Sequence, residues 1–160
     1  MKKRGQLLST PFIYVFALII GSLILIWGMN YVYKLKDTAE IVEVNTFLSD
    51  LRKDVDSFFY LDEGSSKVIS IRMPSKIDYI CFKDKEIPLN NDDILDGNPG
   101  FRFILENTNK SVFFLPTDAY RTTTYDIDNI KPKTQNPSCF RNGEKIKITT
   151  ETDHVEISPL

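Results

Sequence analysis

Residues 11–33 read PFIYVFALIIGSLILIWGMNYVY, and no charged side chain occurs between Pro11 and Tyr33. At about 1.5 Å of rise per residue, these 23 or so positions form a helix of roughly 35 Å, enough to cross a hydrocarbon core of about 30 Å. A buried helix of a soluble domain is the first competing reading. The rest of the chain is mostly polar and holds no second long apolar helix, so it lacks the material to surround such a cylinder on every side. A cleaved secretory signal is the second. Its apolar core spans about 7 to 15 residues and ends in small residues at the cut site. Here the run is longer and ends in Trp27, Tyr31 and Tyr33, amphipathic rings suited to a membrane surface. The sequence therefore predicts a retained transmembrane helix over 11–33.

Its flanks set the expected orientation. Lys2, Lys3 and Arg4 precede the span, whereas Lys34 and Lys36 beyond it are answered by Asp37 and Glu40. This bias favours a cytoplasmic N-terminus and an extracytoplasmic C-terminal part. No later apolar run exceeds about six residues, far short of a span. With three of the 20 lysines and arginines before the span, 17 remain after it against 22 acids, a net charge of −5. That sign, without a basic stripe carrying interleaved aromatics, argues against a nucleic-acid partner.

Within the span, Ala17, Gly21 and Gly28 are offset by four and seven positions and share one helix face, where another backbone can approach closely. Beyond it, Ile41, Val44, Leu48, Leu51, Val55 and Phe58 recur at intervals of three and four. This spacing predicts an amphipathic helix over 34–61 with Glu43, Asp50, Lys53, Asp54 and Asp56 on the wet side. No Pro or Gly lies between Gly28 and Gly64, so the two helices are expected to run on as one rod of about 50 residues. The stripe is short for a free coiled coil and is read first as packing on its own domain.

From residue 62 to 160 the pattern turns to alternation broken by Gly, Pro and Asn, which predicts an antiparallel β-domain. Segments 67–73 and 77–83 read as one hairpin, and FRFILE (101–106) with SVFFLP (111–116) as a second. A short strand is expected near 120–125. Asn142-Gly143, between SCFR (138–141) and EKIKIT (144–149), gives the clearest hairpin signal, since the pair supplies the two positive φ angles of a type I′ turn. HVEIS (154–158) closes the set. One sheet of five to seven strands covered by the striped helix gives an α+β fold. The predicted organisation is a basic leader (1–10), a membrane helix (11–33), an amphipathic helix (34–61) and a β-domain (62–160).

Candidate chemistry is sparse. Cys81 and Cys139 are the two cysteines and His154 the one histidine. In an exported domain two separate cysteines point to a disulfide ahead of a metal site, with two buried thiols as the alternative. Asn90, Asn91, Asp92, Asp93 and Asp96 suggest calcium, but setting Gly97 at the turn of an EF-hand loop puts Ile94 where an oxygen ligand belongs. A solvated loop is therefore expected there, with no metal and no cofactor. No GxSxG, HExxH or phosphate-cradling glycine loop is present, so His154 reads as a strand residue and the chain as no enzyme. Asn109-Lys110-Ser111 is a glycosylation triplet, expected to be exposed.

The order of these parts resembles a type IV pilin-like protein: a basic leader ending Lys3-Arg4-Gly5-Gln6, an apolar helix, an amphipathic continuation and a C-terminal β-domain. The Arg4-Gly5-Gln6 junction is similar to that of archaeal archaellins and pilins with class III signal peptides. The resemblance implies that a prepilin peptidase cuts between Gly5 and Gln6. It also implies that the apolar helices then pack together as a filament core, coated by the β-domains. Unlike many bacterial pilins, this chain carries no acidic residue at the start of the helix, and Ser9, Thr10 and Pro11 delay the apolar run. A minor component of a surface filament or envelope complex is thus expected ahead of a major subunit. The alternative is a permanently anchored extracytoplasmic binding module that does not polymerise.

Overall fold

The computed structural model describes residues 9–90 and 97–160. A single helix, α1, spans Ser9–Phe59, so the two predicted helices are one uninterrupted element. The chain divides into two compact units between Glu40 and Ile41. In the first, α1 carries the charge-free run. The second contains the remainder of α1 and all the strands.

Among the described residues, eight strands follow α1: β1 (Ser66–Ser70), β2 (Tyr79–Phe82), β3 (Val112–Leu115), β4 (Thr124–Tyr125), β5 (Ile130–Pro132), β6 (Ser138–Arg141), β7 (Lys145–Thr150) and β8 (Val155–Pro159). A second helix, α2 (Pro99–Asn107), lies between β2 and β3. The strands form two four-stranded sheets, one in the order β1-β7-β8-β5 and the other β4-β3-β2-β6. All pairings are antiparallel except β5 with β8. The fold is α+β, as the sequence predicts. Gly64, at φ +88°, turns the chain out of α1, and its N–H donates to the Thr150 carbonyl at 2.9 Å. That positive φ is cheap for glycine alone.

Strand alternation explains the layers. Ile80, Phe82, Val112, Phe114 and Phe140 face a core shared with Ile146, Ile148, Val155 and Ile157 of the other sheet. Val44, Leu48, Leu51 and Val55 of α1 complete this core. The intervening residues Cys81, Phe113 and Leu115 point the other way, onto Phe101 and Leu105 of α2. The sheet containing β2 and β3 is therefore covered on both faces, which is why YICF and VFFL are unbroken apolar runs.

Four expectations are corrected. The single sheet is two. Residues 101–106 are helical: Phe101 and Leu105 are one turn apart, Pro99 opens the helix and Arg102 pairs with Glu106 at 3.0 Å across one turn. Segments 67–73 and 77–83 are no hairpin, because β1 and β2 lie in different sheets. Ile71, Met73 and Ile77 are buried in the crossing between them. The Asn142-Gly143 turn likewise joins two sheets, β6 in one and β7 in the other, with only Gly143 at positive φ (+96°). Asn142 serves through its side chain. Its amide accepts from Met73 N–H at 3.1 Å and donates to the carbonyls of Met73 at 2.9 Å and Ile77 at 3.0 Å.

Candidate functional site

Three features of the two units bear on function. On α1, the run from Phe12 onward leaves its large apolar side chains exposed, Phe12 at 80% and Trp27 at 79%. One long apolar helix of this kind fits a single-pass membrane protein. Ser22 Oγ donates to the Ile19 carbonyl at 2.8 Å, so its hydroxyl is satisfied within the helix. Among the described residues, a Cβ added at Gly21 or Gly28 would meet nothing within 4 Å, so no contact there requires glycine at either position. Ala17 is exposed on the same face. Gly5 and Gln6 lie outside the described residues.

In the second unit, a groove of about 410 Å³ runs beside α1. Asn45, Ser49 and Arg52, at helical spacing of four and three, line one side. Lys110, Thr124 and Tyr125 line the other. At its floor the Asp126 carboxylate meets Lys85 at 2.6 Å and Lys110 at 4.0 Å, while the Arg52 guanidinium donates to the Asp126 carbonyl. Burial alone would raise the Asp126 carboxyl. The hydrogen bond and charge of Lys85, then Lys110 and Ser111, outweigh it and hold the group below the usual aspartate range. Burial also pushes the Tyr125 phenol up.

A folded-state value below the unfolded one means that this carboxylate stabilises the fold above the ordinary aspartate pKa, and that its contribution is lost as pH falls through the folded value. The K85M variant removes the principal cation and leaves the burial. The Asp126 carboxyl is then expected to titrate at higher pH, as read by carboxyl carbon NMR. An unmoved titration would show that Lys85 does not hold it.

A second groove of similar size is lined by Asp84, Glu86, Lys131, Asp153 and His154. Lys131 reaches Glu86 at 2.8 Å and Asp84 at 4.0 Å, and its ammonium is held above the usual lysine range, first by the Glu86 hydrogen bond. His154 Nδ1 lies 2.6 Å from Asp153 Oδ1, which holds that exposed carboxyl low. Among the described residues, no group of three or more His, Cys, Asp or Glu is arranged to hold a metal ion. Asn91, Asp92, Asp93, Ile94 and Asp96 of the suspected calcium loop lie outside the described residues. Asn90 donates its N–H to the Asn136 carbonyl at 2.6 Å.

Cys81 and Cys139 are directly opposed on β2 and β6 and form a disulfide. Asn109 is exposed, in the loop between α2 and β3 instead of at a hairpin tip. Ser111, the third member of its triplet, is buried, accepting from Ile127 N–H at 2.8 Å and donating to the Ile127 carbonyl at 2.9 Å. Lys83 stands behind that loop, donating to the carbonyls of Leu105 at 2.5 Å and Thr108 at 3.1 Å at the end of α2. Burial, followed by the nearby charge of Lys85, lowers its pKa. The sequence reading missed the groove beside α1. The signal for it is the polar row Asn45, Ser49 and Arg52, which runs parallel to the apolar stripe. Comparison with protein-family models, with curated proteins and with solved structures finds no match.

Proposed function

We propose that this chain is a non-enzymatic, single-pass, pilin-like membrane protein that joins copies of itself or other pilin-like subunits through the apolar part of α1. In this reading it is a minor component of a surface filament or envelope complex. The observation that carries the reading is the exposed, charge-free helix with its Ala17, Gly21 and Gly28 face open to close approach. Two further points support it. Lys2, Lys3 and Arg4 favour a cytoplasmic N-terminus. The Cys81–Cys139 disulfide suits an oxidising compartment for the β-domain. Cutting between Gly5 and Gln6 would remove those three charges and free the helix to leave the bilayer for a bundle.

Coexpression with a prepilin peptidase tests this directly. Intact mass and N-terminal sequencing are expected to give a mature chain beginning at Gln6. A chain that keeps Lys2 under those conditions would favour the second reading, a permanently anchored binding module. The groove beside α1 is the observation on that reading's side.

A further inference from the structure

The groove beside α1 departs in charge from the unit that contains it. Lys34 and Lys36 are balanced by Asp37 and Glu40, so the chain from Ile41 onward keeps the net charge of −5. Among the residues that line it, however, Arg52 and Lys110 are two cations against the single carboxylate of Asp126, and that carboxylate is already paired with Lys85 at 2.6 Å. Arg52 spends its contact on a backbone carbonyl, which leaves its charge unneutralised. Lys110, at 4.0 Å from Asp126, is beyond hydrogen-bond reach of it.

The remaining lining is equally uncommitted. The side chains of Asn45, Ser49 and Thr124 make no hydrogen bond among the described residues. Tyr125 is half-buried, with its hydroxyl donating to the Thr122 carbonyl at 3.1 Å, so its ring contributes an apolar patch to the wall. Two cations therefore stand beside three free neutral hydrogen-bonding groups and an aromatic ring, in a volume of about 410 Å³. Ligand pockets begin at about this volume, roughly 300 Å³. Hydroxyl and amide side chains match sugar hydroxyls, an aromatic ring covers an apolar sugar face, and a guanidinium with an ammonium matches an oxyanion.

We propose that this groove binds an acidic saccharide unit, its carboxylate or phosphate held by Arg52 and Lys110 and its hydroxyls by Asn45, Ser49 and Thr124. This assignment is independent of whether the chain polymerises.

The test uses the full chain in polyoxyethylene detergent micelles, which contribute no sugar, titrated with glucuronate, glucose 6-phosphate, glucose and inorganic phosphate and followed by NMR. Glucuronate and glucose 6-phosphate are expected to give saturable shifts at Arg52, Ser49 and Lys110. The two arms separate a carboxylate from a phosphate as the preferred anion. Glucose is expected to bind at least about tenfold more weakly, the factor for losing a charge-assisted hydrogen bond worth about 1.4 kcal/mol or more. R52Q should weaken the acidic sugars by a similar factor. N45D, an exposed substitution that leaves the core untouched, should also weaken them by adding a like charge. Equal binding of glucose and glucuronate, binding of inorganic phosphate as tight as that of the acidic sugars, unchanged affinity in both variants, or no shift at the groove would each overturn the proposal.

Discussion

Replacing Cys81 and Cys139 together by alanine is expected to destabilise the β-domain by about 4 kcal/mol. The two cysteines are 58 positions apart, and the covalent link removes the corresponding loop freedom from the unfolded chain. Between them lie α2, β3, β4 and β5, so most of the sheet formed by β4, β3, β2 and β6 folds inside the closed loop. Among the described residues, strand β6 is an edge strand, paired with β2 alone. Without the bridge, four residues of ladder and the packing of Phe140 hold it. A loss of this size corresponds to a midpoint lowered by roughly 15 °C for a domain near 120 residues. Thermal or urea unfolding of the full chain in micelles, followed by near-ultraviolet circular dichroism, measures it. Wild-type protein unfolded under reducing conditions should coincide with the double variant. A double variant within about 1 kcal/mol of wild type would mean that the unfolded chain is already compact around this loop.

What the sequence could disclose depended on how many partners each signal needed. The long helix and its apolar stripe were legible because both are local: charge-free length in one case, a spacing of three and four in the other. Cys81 with Cys139 was legible because the chain offers no other thiol. Pairing between strands is a different matter. FRFILE carries apolar residues at 101, 103 and 105, which fits alternation, yet Phe101, Ile104 and Leu105 fit a helix turn equally well, and Phe103 is 65% exposed. Burial against β2 and β3 decides between them, and burial is not a local property. Asn142-Gly143 marks a turn correctly, but its partners lie in different sheets because Asn142 is engaged with Met73 and Ile77. Strand β5 is three residues long, ends in Pro132 and pairs in parallel with β8, so neither length nor alternation announces it. The groove beside α1 required Lys110 and Thr124 to arrive from another part of the chain, and of its walls only the row of Asn45, Ser49 and Arg52 was visible beforehand.

The stripe itself separates what spacing shows from what packing decides. Ile41 and Leu51 belong to it equally by position, yet Ile41 is 46% exposed whereas Leu51 is 1% exposed. Leu51→Ala is therefore expected to cost about 3 kcal/mol, the transfer of the lost methyl groups plus the cavity they leave, and Ile41→Ala about 0.5 kcal/mol or less. The location of the loss matters as much as its size. Leu51 shares one core with Ile146 and Ile148 of β7 and Ile157 of β8, so a cavity there weakens both strands and the helix at once. Amide hydrogen exchange resolves this. In Leu51→Ala the amides of Ile146 and Ile148 should lose protection by roughly the same factor as those near Leu51, about 100-fold for 3 kcal/mol. In Ile41→Ala neither group should change by more than about threefold. Faster exchange confined to α1 in Leu51→Ala would mean that the helix opens on its own while the sheets hold. The apolar stripe would then be a removable cover, and the β-domain would have to be stable without it.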